Sequence, residues 1–204
     1  EVVETLYIAV ALVVLVVFIF LGDWRSTLIP GIAIPVSLIG TFALLAMFGF
    51  TLNTIVLFAL ILAIGIVVDD AIIVVENVQR LMDEEGLDPK AATAKAMDQV
   101  GGAIVSTTLV LLAVFVPVGF MPGITGELYK QFAVTISVAV AISSVNALTL
   151  SPALCSVLLK RDAKPLAVLG GFNRWFGRLT AGYTSAVRLT IKRVLLVMGV
   201  YGAL

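Results

Sequence analysis

The sequence predicts an all-α protein, a polytopic bundle of transmembrane helices. Hydrophobic residues make up 61% of the chain and charged residues only 13%, and the mean hydropathy is +1.15. No charged residue occurs from Ser26 to Val68, a run about twice as long as one helical crossing of ~20 residues. This composition and these run lengths are typical of an integral membrane protein and not of a soluble domain.

Breaks in the uncharged runs divide the first part of the chain into three spans. The run that ends at Gly22 predicts a first span over residues 5–22. The long run after it must fold back on itself, and the turn-forming and polar residues at 49–53 are the break that the sequence offers. We therefore predict a second span over residues 28–48 and a third over residues 54–78.

The next segment, from Arg80 to Asp98, is the most charged of the protein. Gly86 is expected to end a helix, and Asp88-Pro89 to begin another with Asp as the N-cap and Pro in the first turn. We predict that this second helix is a connector from Lys90 to about Val100 that ends at Gly101-Gly102. A fourth span is then expected over residues 103–120.

The fifth span is predicted after a short loop over residues 123–130. It covers residues 130–159, which is longer than one crossing needs, so we expect it to tilt or to bend at Pro152. These five spans form the predicted transmembrane bundle over residues 1–160.

Two further segments follow the bundle. Residues 161–192 are predicted to form a linker and a basic amphipathic helix that lies at the membrane surface. Residues 193–204 are apolar but about half as long as a span, so we expect the start of a truncated sixth span. The helix is predicted from apolar residues at three- and four-residue intervals, with Arg and Lys on its other faces: Phe172, Trp175, Phe176, Leu179, Tyr183, Val187 and Ile191.

The distribution of basic residues predicts the orientation of the bundle. With five spans, the segments around 23–25, 79–100 and 160–193 share one side of the membrane, and they contain twelve Lys and Arg residues. The opposite side contains only Lys130. By the positive-inside rule the first side is cytoplasmic.

Two adjacent carboxylates, Asp69 and Asp70, lie inside the third span. Each central Asp opposes membrane insertion by about 2.5–3.5 kcal/mol, whereas each Leu, Ile, Phe or Val favours it by about 0.3–0.6 kcal/mol. The fifteen such apolar residues from Thr54 to Glu76 contribute roughly 4.5–9 kcal/mol, against roughly 5–7 kcal/mol for the two aspartates. So small a margin predicts that the pair serves an ion or proton pathway.

Other interpretations of the pair and of the composition fit the sequence less well. The carboxylates could be paired permanently with cations from other helices, although no Lys or Arg lies inside any predicted span. An intramembrane aspartyl protease needs its two carboxylates on separate helices, so adjacent positions argue against an enzyme. The chain has no His, and Cys155 is the only cysteine, so no metal site or cofactor is predicted. A net charge of zero suggests no nucleic-acid partner.

The residues around the pair resemble the fourth transmembrane helix of resistance-nodulation-division (RND) efflux pumps, in the hydrophobe/amphiphile efflux branch of Gram-negative bacteria. The resemblance covers essentially the whole chain, and Asp at position 70 favours the drug-exporting branch. It is carried by these motifs: Gly65–Ile72 with Val75–Val78, Thr27–Pro30, Ala33–Pro35, Gly49–Thr54, Val114–Pro117, Thr125–Phe132 and Pro152–Cys155.

The resemblance implies a fold and a function for the chain. It would contain the second to sixth membrane helices of such a pump, with Asp69 and Asp70 matching its proton-relay carboxylates and protons as the coupling ion. The expected function is proton-driven efflux of hydrophobic and amphiphilic compounds, including drugs, by a secondary active transporter that is not an enzyme. Expected partners are membrane lipids, two further copies in a homotrimer, a periplasmic adaptor and an outer-membrane channel. The expected location is the bacterial inner membrane.

An alternative from another class is a polytopic domain that transports nothing and instead senses lipid or anchors a complex. A transporter needs its titratable pair, whereas an anchor tolerates the loss of Asp69 and Asp70. The two functions therefore predict opposite responses to substitution of the pair.

Overall fold

The computed structural model describes residues 2–160 and 170–193, and these residues form helices without strands. The predicted all-α class is therefore confirmed for the described part of the chain. Its helices are α1 (Val2–Leu21), α2 (Trp24–Met47), α3 (Thr54–Glu85), α4 (Pro89–Val118), α5 (Gly123–Leu148), α6 (Leu150–Leu158) and α7 (Gly170–Lys192).

Among residues 2–160 and 170–193, five helical segments are long and apolar enough to cross a membrane. Four of them are α1, α2, α3 and α4. The fifth consists of the consecutive helices α5 and α6 and is 36 residues long. The five predicted spans are confirmed in number and order. α3 is the most enclosed of them, with 56% of its apolar window buried.

Local hydrogen bonds explain where the helices begin and end. The Asn53 side chain accepts a hydrogen bond of 3.0 Å from the backbone N–H of Val56 at the start of α3, which satisfies an N–H that the helix leaves unpaired. Gly86 ends α3 at φ 66°, in the left-handed region. Asp88 then accepts hydrogen bonds from the first N–H groups of α4. The predicted break at 49–53 and the predicted Gly86 and Asp88-Pro89 signals are confirmed.

Two boundaries differ from the prediction. α3 continues to Glu85 instead of ending near residue 78, and α4 is one helix from Pro89 to Val118. The separate connector helix over 90–100 and the stop at Gly101-Gly102 were wrong. A glycine inside a helix costs only about 1 kcal/mol relative to alanine, whereas a break within a span would leave backbone groups unpaired in hydrocarbon. Neither glycine has a positive φ.

The fifth span also differs at its start. α5 begins at Gly123, so the predicted loop over 123–130 was wrong. The helix is interrupted near the predicted bend at Pro152, since α5 ends at Leu148 and α6 begins at Leu150. Proline has no N–H to donate to the carbonyl four residues earlier, which here belongs to Leu148, and this missing bond accounts for the interruption.

The chain divides into two compact units, residues 1–164 and 165–204. The predicted helix of the second unit is present as α7, and its Leu179, Tyr183, Val187 and Ile191 are exposed. Its position at a membrane surface stays a prediction. The predicted linker over 161–169 and most of the predicted sixth span, residues 194–204, lie outside the described residues.

Within the first unit, α3 is the central helix and packs against α1, α2, α4, α5 and α6. Its closest neighbour, α5, meets it through the small cluster Ala63, Val67 and Ala139. Small residues at such an interface allow two membrane helices to approach closely. This approach places the Ser143 side chain of α5 within reach of Asp70 on α3.

The start of α5 is sensitive to side-chain size. A Cβ added at Gly126 would lie 2.0 Å from the carbonyl oxygen of Met121, so Gly126→Ala should destabilise the protein by about 1–3 kcal/mol. Gly102→Ala is the control, because a Cβ there meets nothing within 4 Å and alanine favours the helix by about 1 kcal/mol. Thermal unfolding of the full-length protein in detergent checks this. Equal midpoints for the two variants would contradict the described packing.

Candidate functional site in the helix bundle

Asp69 and Asp70 lie in the membrane-spanning part of α3, at the boundary between its packed and its open face. Asp69 is exposed, together with Gly65, Ile73 and Glu76 at helical spacing, whereas Asp70 is half-buried. Successive helix residues differ in direction by about 100°, so the two carboxylates cannot point the same way. Asp69 extends into the open groove beside the helix, and Asp70 turns towards α5.

A cavity of about 600 Å³ separates α3 from α4 beside the pair. Most of its surface is apolar, and its polar side chains are two carboxylates and two hydroxyls. The cavity is lined by Gly65, Ile66, Asp69, Asp70, Ile73, Ser106, Thr107, Val110 and Leu111. Both predicted site residues therefore line one open groove between α3 and α4.

Asp70 makes a direct contact with another helix. The Ser143 hydroxyl of α5 lies 3.0 Å from Oδ2 of Asp70 and 3.0 Å from the carbonyl oxygen of Val67. Ser143 is buried and Asp70 is half-buried, so this hydrogen bond is partly shielded from solvent, which strengthens it. The contact joins Asp70 of α3 to α5.

Reasoning from the sequence missed three hydroxyl-bearing residues of the site: Ser106, Thr107 and Ser143. Hydroxyls in membrane helices commonly donate to a carbonyl one turn earlier in their own helix. Ser106 does so, at 2.8 Å from the Gly102 oxygen, and Thr107 does so at 3.1 Å from the Ala103 oxygen. The signal was therefore weak, because nothing in the sequence distinguishes Ser143, which reaches another helix, from hydroxyls that bond locally.

In the described part of the chain, no Lys or Arg side chain forms an ion pair with Asp69 or Asp70. The ion pairs seen there join Arg80 to Glu84 at 3.0 Å, Lys95 to Glu85 at 2.6 Å and Lys130 to Glu127 at 3.7 Å. Among residues 2–160 and 170–193, no group of three or more His, Cys, Asp or Glu residues converges as a metal site. Within these residues, the surroundings of the pair consist of hydroxyls and apolar side chains.

A second cavity, of about 220 Å³, continues along α3 towards the charged segment. It is lined by Ile73, Glu76, Asn77, Arg80 and Val100, and Ile73 also lines the larger cavity. The Arg80 guanidinium donates to the Asn77 side chain at 2.7 Å and to the Gln99 side chain at 3.0 Å. The two cavities therefore follow one another between α3 and α4, and Ile73 lies where they meet.

The family model described as the AcrB/AcrD/AcrF family matches residues 1–204. The chain belongs to this family. Its resemblance to RND multidrug efflux permeases is thereby confirmed, and with its five candidate spans it is a multi-pass membrane protein.

Curated relatives extend the comparison. Multidrug export protein AcrF of Escherichia coli K12 is 54% identical over 177 residues, which are 86% of this chain and 17% of that protein. Multidrug resistance protein MdtF of the same strain is 46% identical over 196 residues, covering 94% and 19%. Toluene efflux pump membrane transporter TtgB of Pseudomonas putida DOT-T1E is 49% identical over 179 residues, covering 87% and 17%. The chain thus spans less than a fifth of the length of these relatives.

The open groove can be tested by thiol chemistry. Ser106 is exposed in the groove, whereas Ile104, on the same helix, is 2% exposed. A small cationic methanethiosulfonate reagent should modify Ser106→Cys, aided by the nearby carboxylates, and should leave Ile104→Cys unmodified. The native Cys155 is 0% exposed and should stay silent.

The labelling is measured by mass spectrometry on full-length protein in which cysteines outside this chain are replaced. Equal labelling of the two introduced cysteines would contradict the described groove.

Proposed function

We propose that this chain is part of the membrane domain of a proton-driven efflux transporter, in which Asp69 and Asp70 relay the coupling protons. The transporter exchanges protons for hydrophobic and amphiphilic compounds. The observation that carries the proposal is the carboxylate pair lining a groove between two candidate spans, α3 and α4, in a chain of the AcrB/AcrD/AcrF family. Relatives named for multidrug export and toluene efflux support the substrate class.

The energetics of the pair suit this role. Each proton that moves inward gains roughly 2.3 kcal/mol per 100 mV of membrane potential. That energy drives a conformational change only if protonation is worth different amounts in two conformations, since equal affinity for both shifts nothing. A carboxylate in apolar surroundings meets this condition, because its ionised form is costly there and its neutral form is not. The charge of Asp69 and Asp70 can therefore select between packings of α3.

The location and partners of the whole protein belong to the same proposal. The excess of Lys and Arg on one side favours a cytoplasmic position for the charged end of α3 and the charged start of α4, which fits a multi-pass protein of the bacterial inner membrane. Large exposed apolar side chains on α1, such as Tyr7, Leu12 and Phe20, are suited to lipid or to other helices. Following the resemblance to RND pumps, the transporter would act as a homotrimer with a periplasmic adaptor and an outer-membrane channel.

The proposal also includes a membrane-surface position for α7. α7 combines an exposed apolar stripe with Arg178, Arg188 and Lys192. Basic amphipathic helices of this kind bind in the headgroup region of bilayers, where the apolar stripe enters the acyl boundary. We assign α7 to the cytoplasmic membrane surface, next to the lipid headgroups.

Substitution of the pair tests the proposal. In the full-length protein, Asp69→Asn and Asp70→Asn should each reduce efflux to the level of cells without the pump, because an amide cannot change its charge. The amide has almost the same shape and lowers the insertion cost, so expression and assembly should be preserved. Asp83→Asn is the matched control, the same chemical change at an exposed position of the same helix, and it should pump normally.

The measurement is dye or drug efflux from cells with matched protein levels. Normal efflux in both single variants of the pair would end the relay assignment. It would then favour the alternative function, a lipid-sensing or anchoring domain that transports nothing itself.

A further inference from the structure

Ser143 connects α5 to two acceptors on α3. Its Oγ lies 3.0 Å from the Val67 carbonyl oxygen and 3.0 Å from Oδ2 of Asp70, and the residue is 2% exposed. A serine hydroxyl has one proton to donate and two lone pairs that accept. A single proton makes one strong hydrogen bond, so Ser143 donates mainly to one of these acceptors at a time.

The protonation state of Asp70 decides which acceptor is preferred. An ionised carboxylate only accepts hydrogen bonds, and bonds to charged groups are the stronger ones. Ser143 then donates to Oδ2 of Asp70. A protonated carboxyl instead has an O–H to donate, and the Ser143 oxygen is within reach to accept it. Ser143 can then turn its own proton to the carbonyl oxygen of Val67, so the hydroxyl is bonded in both states.

The surroundings leave this role to Ser143 in the described part of the chain. Asp69 is the neighbouring titratable group, and it lies on α3 itself. The α4 hydroxyls that line the cavity, those of Ser106 and Thr107, donate to carbonyls of α4. Ala63, Val67 and Ala139 form an apolar cluster between α3 and α5, and this cluster includes Val67, whose carbonyl oxygen Ser143 also reaches.

We propose that Ser143 is a positioning residue for the proton relay, whose hydrogen bond with Asp70 reverses direction when Asp70 gains or loses its proton. The inference rests on the function proposed above, because it takes Asp70 as a carrier of the coupling proton. No covalent bond other than the O–H bond of the moving proton is made or broken. The direction of the hydrogen bond between α3 and α5 therefore depends on the charge of Asp70, and the two helices pack closely against each other.

A matched pair of variants separates the hydroxyl from the shape of the side chain. Thr and Val have nearly the same volume, but only Thr keeps the hydroxyl. In the full-length protein, Ser143→Val should lower efflux about tenfold, the factor expected from losing one hydrogen bond to a charged group. Ser143→Thr should restore most of that loss.

Ser137→Ala is the control on the same helix. The Ser137 hydroxyl oxygen is buried without a hydrogen-bond partner in the described part of the chain, so its removal breaks no bond. This variant should pump at the wild-type rate.

Infrared spectroscopy supplies a readout that a purely structural role would not move. Difference spectra of the purified full-length protein between acidic and alkaline buffer contain the C=O band of protonated Asp70, identified by its loss in Asp70→Asn. Hydrogen bonding sets the position of this band. It should shift in Ser143→Val and keep the wild-type position in Ser143→Thr and Ser137→Ala.

Two outcomes would overturn the inference. One is a wild-type band position and normal efflux in Ser143→Val. The other is an equal loss of efflux in Ser143→Val and Ser143→Thr with an unshifted band, which would trace the defect to shape. Neither outcome touches the proposed function, which fails only if Asp70→Asn and Asp69→Asn pump normally.

Discussion

The structure depends on one constraint: a helix that contains two carboxylates must be stable inside an apolar bundle. By insertion energies alone α3 has almost no margin. Packing supplies what insertion does not, because α3 contacts five other helices of its unit and most of one face is fully buried. The carboxylates lie at the edge of that buried face, so Asp70 reaches a hydroxyl donor and Asp69 the open cavity.

A few polar contacts between helices support the same arrangement. The Asn146 side chain of α5 donates to the Ser37 hydroxyl of α2 at 2.8 Å, and the Asn53 side chain donates to the Gln131 side chain of α5. Together with the Ser143 contact, they connect α5 to the start of α3, to its middle and to α2. Polar contacts of this kind between membrane helices are modest in energy, about 0.6 kcal/mol on average, but they restrict how the helices can slide and rotate. Asp70 is thus hydrogen-bonded to α5, a helix that polar contacts hold in position at several points.

Much of this architecture could be read from the residues alone. The number and order of the spans followed from uncharged runs, the break before α3 from Gly49–Asn53, and the start of α4 from Asp88-Pro89, because each signal is local. The predictions of a helix stop at Gly101-Gly102 and of a loop over 123–130 were wrong because they also relied on local signals. A glycine pair or a charged residue only weakens a helix locally, and the requirement to pair every backbone group in hydrocarbon outweighs that weakness.

The sequence by itself determined the class of the protein, its spans, its family and the carboxylate pair, because hydropathy, helix periodicity and the flanking motif are properties of the chain order. Only the tertiary structure decided which helix α3 meets at Asp70, that Ser143 donates there, and that Ser106 and Thr107 line the cavity. A serine in an apolar span reads the same whether it bonds to its own helix or to another one. The difference arises from the rotation and the close approach of α5 on α3, which small residues such as Ala63 and Ala139 permit.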